Sequence, residues 1–171
     1  MKKIVINDTN IFIDLLSVQG CEVFFSLPWE VHTTRLVMEE LTHTNQRAVI
    51  DSFASRGKLI IDCFTSDDYQ ELHEQYAEIS NLSLADCSIW YLAHKTHYSL
   101  LTGDKNLRRE AEKDGIEVHG IVYVIQAMVD ELLLTPSEAI NVLQQLQRKN
   151  HRLPKDDIES YLRRWKSLIE M

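Results

Sequence analysis

Ile4-Val5-Ile6-Asn7-Asp8-Thr9-Asn10 is an apolar run that stops at an acid. Its three consecutive β-branched residues, 4–6, predict the centre of a short buried strand. The apolar residues that follow recur at helical spacing, so a helix is predicted to begin at Asp8. A buried strand that leads directly into a helix is the repeating unit of parallel α/β sheets.

The same order of strand and helix continues along the chain. Four further strands are predicted, over 30–33, 58–64, 98–101 and 117–119. The helices predicted between them are one capped by Thr34, one over 45–56, one from Ser66 to about Ile79, one that begins at Ser83, and one from Asp104 to Gly115. This alternation predicts the α/β class, with a parallel central sheet of about five strands between helices.

Beyond the fifth strand the pattern becomes purely helical. One helix is predicted over 121–133, and Thr135-Pro136-Ser137-Glu138 begins another with a cap residue, a proline and a glutamate in favoured positions. Pro154 ends that helix. The amphipathic stripe after it consists of Ile158, Tyr161, Leu162, Trp165, Leu168 and Ile169. We therefore predict an α/β domain over 1–135 and a helical extension over 136–171 that packs on it or on a second subunit.

Size and charge limit the classes of protein to which the chain can belong. Its 171 residues, of which 44% are apolar, suffice for one well-packed domain and argue against disorder. No window reaches the roughly 18 apolar residues of a membrane span, and the first apolar run is too short for a signal peptide. We therefore expect a cytoplasmic protein. The net charge of −8 argues against a protein that coats nucleic acid, although not against a nuclease.

Three aspartates stand at positions that the predicted topology brings together. Asp8 follows the first strand, Asp104 follows the fourth, and Asp86 lies in the first turn of the helix that leads into the fourth. The carboxyl ends of parallel strands share one edge of the sheet, where ligands bind. Taken singly, each aspartate is explained as an ordinary helix cap. Together they would repel one another unless a cation neutralised them, and carboxylate oxygens suit Mg²⁺ or Mn²⁺.

Glu40 is the fourth acid of this candidate site, and the choice of Glu40 over Glu39 rests on helical spacing. With Leu36 at the origin of a helical wheel, Glu40 lies at about 40°, inside the apolar sector, whereas Glu39 lies at about 300° and points away from it. A carboxylate on the inward face needs a partner, while one on the outer face is solvated. We therefore predict that Glu40 faces inward and belongs to the site.

Neighbouring polar residues are candidates for supporting roles. Thr9 and Asn10 are predicted to hydrogen-bond the Asp8 carboxylate or a ligand water, and Thr102 is placed to do the same from the end of the fourth strand. Local turn bonding is the alternative explanation for all three. Asp14, nearly two turns beyond Asp8, is expected on a solvated helix face, and an approach to the metal edge is the alternative.

Four stretches, taken in order, carry a resemblance to a known family. They are Val5-Ile6-Asn7-Asp8-Thr9-Asn10, Glu39-Glu40-Leu41, Leu84-Ala85-Asp86-Cys87-Ser88-Ile89 and Leu101-Thr102-Gly103-Asp104-Lys105-Asn106-Leu107. The chain resembles a PIN-domain ribonuclease, of the kind that serves as the toxin in VapBC toxin–antitoxin pairs. Its carboxyl-terminal part resembles the helical extension of one PIN subgroup. The resemblance implies a PIN-like three-layer α/β/α fold.

The resemblance also implies a function and assigns roles to residues. It implies a metal-dependent endoribonuclease that holds one or two Mg²⁺ or Mn²⁺ ions and hydrolyses RNA phosphodiester bonds. Asp8 and Asp104 would be direct metal ligands, Asp86 would bind directly or through water, and Glu40 would orient or deprotonate the attacking water. A small antitoxin protein is the implied partner, and a homodimer is a further expectation.

Basic residues concentrate at the carboxyl-terminal end of the acidic chain. We predict that four of them bring RNA phosphates toward the acidic site, and the alternative is a solvated face on a packing helix. These four are Arg148, Lys149, Arg152 and Lys155.

Three other functions compete with the nuclease. A receiver domain would need a pair of acids after the first strand and an aspartate after the third, but Asn7 precedes Asp8 and the third strand ends in Cys63-Phe64. A phosphatase with an aspartyl nucleophile would need two acids where this chain has Asp8-Thr9-Asn10. A non-catalytic PIN-like module that binds RNA or a protein partner stays open. Cleavage of RNA that EDTA abolishes would separate it from the enzyme.

Overall fold

Five parallel strands form the central sheet in the computed structural model, which describes residues 1–78 and 80–171. The strands are β1 Lys3–Asn7, β2 Trp29–Thr34, β3 Leu59–Asp62, β4 Ser99–Leu101 and β5 Val118–His119. Their spatial order is β3-β2-β1-β4-β5. Strands β2 and β3 therefore lie on one side of β1, and β4 and β5 lie on the other. Such a reversal leaves a crevice at the carboxyl ends of the two strands where the order changes, here β1 and β4.

Helices cover both faces of this sheet. They are α1 Thr9–Ser17, α2 Cys21–Phe24, α3 Arg35–Glu40, α4 Thr44–Ser55, α5 Ser66–Leu72, α6 Leu84–Thr96, α7 Lys105–Lys113, α8 Ile121–Asp130, α9 Pro136–Lys149 and α10 Lys155–Glu170. No helix within the described residues is both long and apolar enough to cross a membrane.

Successive side chains of a strand point to opposite faces of the sheet, so their contacts show which helices cover each face. On one face, the Thr34 hydroxyl lies 2.7 Å from that of Ser88 in α6. On the other, Lys3, which is paired in register with Trp29, donates to the Tyr123 hydroxyl of α8 at 2.6 Å. The predicted three-layer α/β/α fold with a parallel sheet is confirmed.

The register of β1 and β4 places the ends of both strands at one level. Asn7 pairs with Leu101, and the Asp8 amide donates to the Leu101 carbonyl at 3.0 Å. Asp8 and Thr102 therefore leave the sheet side by side, at the crevice between the two strands.

Two helical segments differ from the sequence prediction. One α-helix is expected from Ser66 to about Ile79. The α-helix ends at Leu72, and a π-helical turn, His73–Ala77, follows it directly. Ile79 lies outside the described residues. The short α2 is not predicted, because four residues do not produce a recognisable periodic pattern. The other predicted elements are present, with ends shifted by a few residues.

Helices α9 and α10 pack against the α/β part through buried apolar side chains. Ile158 and Trp165 of α10 are buried, and the Trp165 indole N–H donates to the Gln126 side-chain oxygen of α8 at 2.8 Å. The predicted apolar stripe is covered only in part, since Leu168 and Ile169 are 45% and 50% exposed. The division of the chain into two parts at residue 135 stays a prediction.

Candidate active site

Asp8 is the most deeply buried acid at the carboxyl edge of the sheet. It caps α1 and is 2% exposed. Its Oδ1 accepts from the Thr9 amide at 2.7 Å, and its Oδ2 accepts from the Thr102 hydroxyl at 2.6 Å and the Asn10 amide group at 2.8 Å. Its pKa is raised to about 7, chiefly by burial and also by the charges of Asp86 and Glu40, while the hydrogen bonds oppose the rise.

Asn10 and Thr102 connect Asp8 to the turn that carries Asp104. The Asn10 side-chain oxygen accepts from the Gly103 amide at 2.8 Å, and the Thr102 hydroxyl oxygen accepts from the Asp104 amide at 3.0 Å. These two side chains therefore join the ends of β1 and β4 in one hydrogen-bonded network. Direct contact with the Asp8 carboxylate is present for both, as one of the sequence alternatives expects.

Glu40 reaches the same network from the last residue of α3. Its Oε2 accepts from the Thr9 hydroxyl at 2.7 Å, and its Oε1 accepts from the Ser83 hydroxyl at 3.4 Å. The expected burial of Glu40 is wrong: the residue is exposed, because α3 ends there and the helical wheel no longer describes its surroundings. Glu39 is exposed as well and makes no side-chain hydrogen bond within the described residues.

Asp86 and Asp104 complete the group from the amino-terminal ends of α6 and α7. Asp86 is half-buried and closes a capping box with Ser83. Burial raises the pKa of Asp86, hydrogen bonds from Ser83 oppose the rise, and the charges of Asp104 and Glu40 add to it. Asp104 caps α7, and its Oδ1 accepts from the Leu107 amide at 2.8 Å. Each aspartate is thus a helix cap, as the simpler explanation holds, and also a neighbour of other acids.

The four acids influence one another electrostatically without surrounding one point. In the part of the chain that the structure describes, no three Asp, Glu, His or Cys side chains are grouped closely enough to hold an ion together. The donor set nevertheless fits Mg²⁺ or Mn²⁺, because it consists of carboxylate oxygens. Burial is the chief cause of the raised pKa of Asp8 and of Asp86, and mutual repulsion raises both further. A cation would relieve that repulsion.

The sequence places this arrangement in a known family. The family model described as a PIN domain matches residues 4–167, which include all four acids and most of α10. The chain belongs to the PIN domain family. The resemblance to PIN domains noted in the sequence is therefore confirmed. PIN domains are generally nucleases, so membership supports a hydrolase that acts on nucleic acid.

Two solved structures are similar to this chain at low sequence identity. A PilT N-terminus domain protein from Sulfolobus solfataricus P2 is 13% identical, with a TM-score of 0.46, over 74% of this chain and 93% of that protein. FitAcB from Neisseria gonorrhoeae is 15% identical, with a TM-score of 0.42, over 67% of this chain and 95% of that one. No curated protein sequence matches this chain.

Asp14 does not lie on a solvated face of this PIN domain, contrary to expectation. It is 8% exposed, because the carboxyl-terminal end of α9 covers it, and the Asn150 amide group donates to its Oδ1 at 3.2 Å. Burial raises the pKa of Asp14 to about 6, and the bond from Asn150 opposes the rise. The sequence of α1 alone contains no sign of this contact, which joins residues 136 positions apart.

The four basic residues proposed for RNA lie around the turn between α9 and α10. Arg148, Arg152 and Lys155 are exposed and form no ion pair within residues 1–78 and 80–171. Lys149 differs, because its ammonium group donates to the Ser17 carbonyl at the end of α1. The Lys149 bond and the Asn150 contact attach this basic turn, residues 148–155, to α1. Helix α1 begins directly after Asp8.

The spacing of Ser83 and Asp86 predicts a capping box at the start of a helix, and the structure has this box. The contact of Ser83 with Glu40 needed the structure, since the two residues are 43 positions apart.

Proposed function

We propose that this PIN domain is a metal-dependent endoribonuclease that hydrolyses RNA phosphodiester bonds. The observation that carries the proposal is the meeting of Asp8, Glu40, Asp86 and Asp104 at the switch point of the sheet, where two of the aspartates have raised pKa values. Keeping four acids near one another is unfavourable without a cation. A phosphodiester substrate is an anion, so a cation is also what would allow it to approach this acidic edge.

The chain's own residues divide into ligands, orienting groups and a base. Asp8, Asp86 and Asp104 would hold one or two Mg²⁺ or Mn²⁺ ions, which when bound activate water and stabilise charge on phosphate. Thr102 and Asn10 fix the Asp8 carboxylate through hydrogen bonds of 2.6 and 2.8 Å. The exposed Glu40 carboxylate, oriented by Thr9, is available to accept a proton from water.

A mixed pool of RNA tests the proposal directly. We expect the purified chain to shorten RNA in buffer with Mn²⁺ or Mg²⁺, and EDTA to stop the reaction until metal is restored. Single- and double-stranded DNA of the same length serve as substrates that distinguish a ribonuclease from a general nuclease. Intact RNA in the presence of either metal, at high enzyme concentration, would contradict the proposal.

We propose RNA as the ligand of the basic turn as well. Arg148, Arg152 and Lys155 are exposed cations on a turn that is attached to α1. Asp14, which contacts this turn, lies six residues, or about 9 Å along a helix, from Asp8. An RNA strand cut at the acidic edge would pass within reach of the turn. The Lys149 ammonium group donates to the Ser17 carbonyl, so Lys149 attaches the turn to α1 as well as contacting phosphate.

We further propose that the chain is the toxin of a toxin–antitoxin pair. Support comes from the motifs of the sequence, which resemble such toxins, and a cytoplasmic location goes with this proposal. A short adjacent gene for a DNA-binding protein is the expected finding, and its product should form a stable complex with this chain and suppress cleavage. A homodimer is also proposed, with Leu168 and Ile169 as exposed apolar residues that a second copy would cover. Sedimentation of the purified chain would decide it.

The alternative function is a PIN module that binds RNA or a protein without cutting. It is favoured by the finding that no three potential ligands are grouped around one point in the described residues. A module of this kind would bind RNA equally well with Mn²⁺ and with EDTA. The enzyme would show metal-dependent cleavage in the same samples.

A further inference from the structure

Within the described residues, three helices begin with a capping box, and in one of them the cap hydroxyl also bonds an acid outside the box. Thr65 and Thr135 cap α5 and α9, and their hydroxyls donate to the acid of their own box, Asp68 at 2.9 Å and Glu138 at 2.8 Å. These two boxes are closed units, in which the acid serves the first turn of its own helix.

The box of α6 is complete, but its cap hydroxyl also has a partner outside the box. The Ser83 hydroxyl accepts from the Asp86 amide at 3.1 Å, as a cap should, and it donates to Glu40 at 3.4 Å. The Ser83 amide donates to Oδ2 of Asp86 at 3.3 Å.

We propose that Ser83 is a positioning residue of the acidic site. Its hydroxyl donates to Glu40 and its amide donates to Oδ2 of Asp86, so one residue holds the proposed base beside a proposed metal ligand. The proposal deepens the proposed function and rests on it. Ser83 does not touch substrate in this role; it acts through Glu40 and Asp86.

Glu40 has two hydroxyl donors that come from different parts of the chain. Thr9 at the start of α1 donates to Oε2 at 2.7 Å, and Ser83 at the start of α6 donates to Oε1. Because Glu40 is exposed, water competes for it, and the two hydroxyls restrict the directions in which its carboxylate can point. Removing Ser83 should therefore loosen Glu40 without releasing it.

The test separates the cap from the donor. Ser83→Gly keeps an acceptable helix cap but has no hydroxyl, whereas Ser83→Thr keeps both. Thr135→Gly is the matched control, because it removes an exposed cap hydroxyl whose donor bond stays within its own box. We expect Ser83→Gly and Thr135→Gly to lower the unfolding temperature of the metal-free protein equally, by a small amount.

The metal and the reaction provide the deciding measurements. Ser83→Gly should weaken Mn²⁺ binding, followed by calorimetric titration, several-fold. On one labelled RNA that the wild type cuts, it should lower kcat about tenfold, the effect of one hydrogen bond to a charged group, with little change in KM. Ser83→Thr should restore both values, and Thr135→Gly should alter neither.

The outcomes distinguish this proposal from the proposed function. If the wild type binds Mn²⁺ but Ser83→Gly matches Thr135→Gly in Mn²⁺ affinity and kcat, Ser83 is only a helix cap and this inference alone fails. If Ser83→Thr behaves like Ser83→Gly, the hydroxyl is not the active feature, and the inference fails as well. A wild type that neither binds Mn²⁺ nor cuts RNA overturns the proposed function and this inference with it.

Discussion

Helix α1 carries a buried acid at each of two levels, and the surroundings of the two acids differ. Asp8 caps the helix, receives three hydrogen bonds and lies near enough to Asp86 and Glu40 for their charges to raise its pKa. Asp14, nearly two turns further along, is held by the Asn150 amide group, and the rise in its pKa comes from burial. Both acids are less than 10% exposed.

Burial is the chief cause of the raised pKa of both acids, and only at Asp8 do neighbouring acids raise the pKa further. Repulsion among the acids at Asp8 is relieved by a cation, which interacts with all of them at once. The cost at Asp14 comes from taking one carboxylate out of water, and a neutral side chain of the same shape relieves it. Substitutions at the Asp8 end of α1 should therefore change function, whereas those at the Asp14 end should change stability.

The largest expected effect is the loss of cleavage in Asp8→Asn and in Asp104→Asn. Each variant removes one proposed ligand while keeping the shape of the helix cap, so RNA cleavage should fall more than about 100-fold. Above pH 7 the metal-free Asp8→Asn protein should be at least as stable as the wild type, because a raised pKa means that charged Asp8 destabilises the fold. Thermal unfolding with and without Mn²⁺ should show that added metal stabilises both variants less than the wild type. Cleavage at the wild-type rate by both variants would show that the site is assigned wrongly.

The next prediction compares two adjacent glutamates. Glu40→Gln should reduce cleavage about 10- to 100-fold, because a general base that cannot accept a proton loses most of its effect. Glu39→Gln, one position away and also exposed, should cut RNA like the wild type. Single-turnover rates on one RNA provide the comparison. Equal rates for the two variants would exclude the assigned role of Glu40.

The contrast between the two ends of α1 also shows which parts of this protein its sequence could predict. The strand–helix order and the acids at strand ends follow from local periodicity and from the rule that parallel strands share an edge. The position of Asp8 is predicted in this way. The prediction for Asp14 is wrong, because its burial depends on a tail helix that the periodicity of α1 does not register. The choice of Glu40 rests on a premise of burial that the end of α3 removes, although its contacts with Thr9 and Ser83 exist.

The third prediction concerns stability at the Asp14 end. The pKa of Asp14 is about 6 in the folded protein, against an ordinary value of 3.8, so the folded state binds the proton more tightly. The free energy of unfolding therefore falls as pH rises from about 4 to about 6, and the loss persists above that. Asp14→Asn should remove this fall and gain up to about 3 kcal/mol over the wild type at pH 8, with little gain near pH 4.

Urea unfolding across this pH range measures the effect. Glu131→Gln, at an exposed position after α8, is the surface control and should follow the wild-type curve. RNA cleavage by Asp14→Asn should equal that of the wild type. A variant that is less stable than the wild type at pH 8 would mean that the Asp14 charge is needed, and the contrast between the two acids would not hold.

The smallest effect is expected where the tail meets α1. The triple substitution of Arg148, Arg152 and Lys155 by serine removes three exposed cations from the basic turn and leaves the Lys149 bond to Ser17 in place. A matched variant with serine at Arg163, Arg164 and Lys166 removes three exposed cations from α10. If the turn binds RNA, the first variant should bind a non-cleaved RNA several-fold more weakly, and the second should not. The slope of log affinity against log salt should become shallower by about 0.7 for each phosphate of a single strand that the turn no longer neutralises. Equal weakening in the two variants would indicate a general effect of net charge, and an unchanged slope in both would leave the turn as the attachment of the tail to α1.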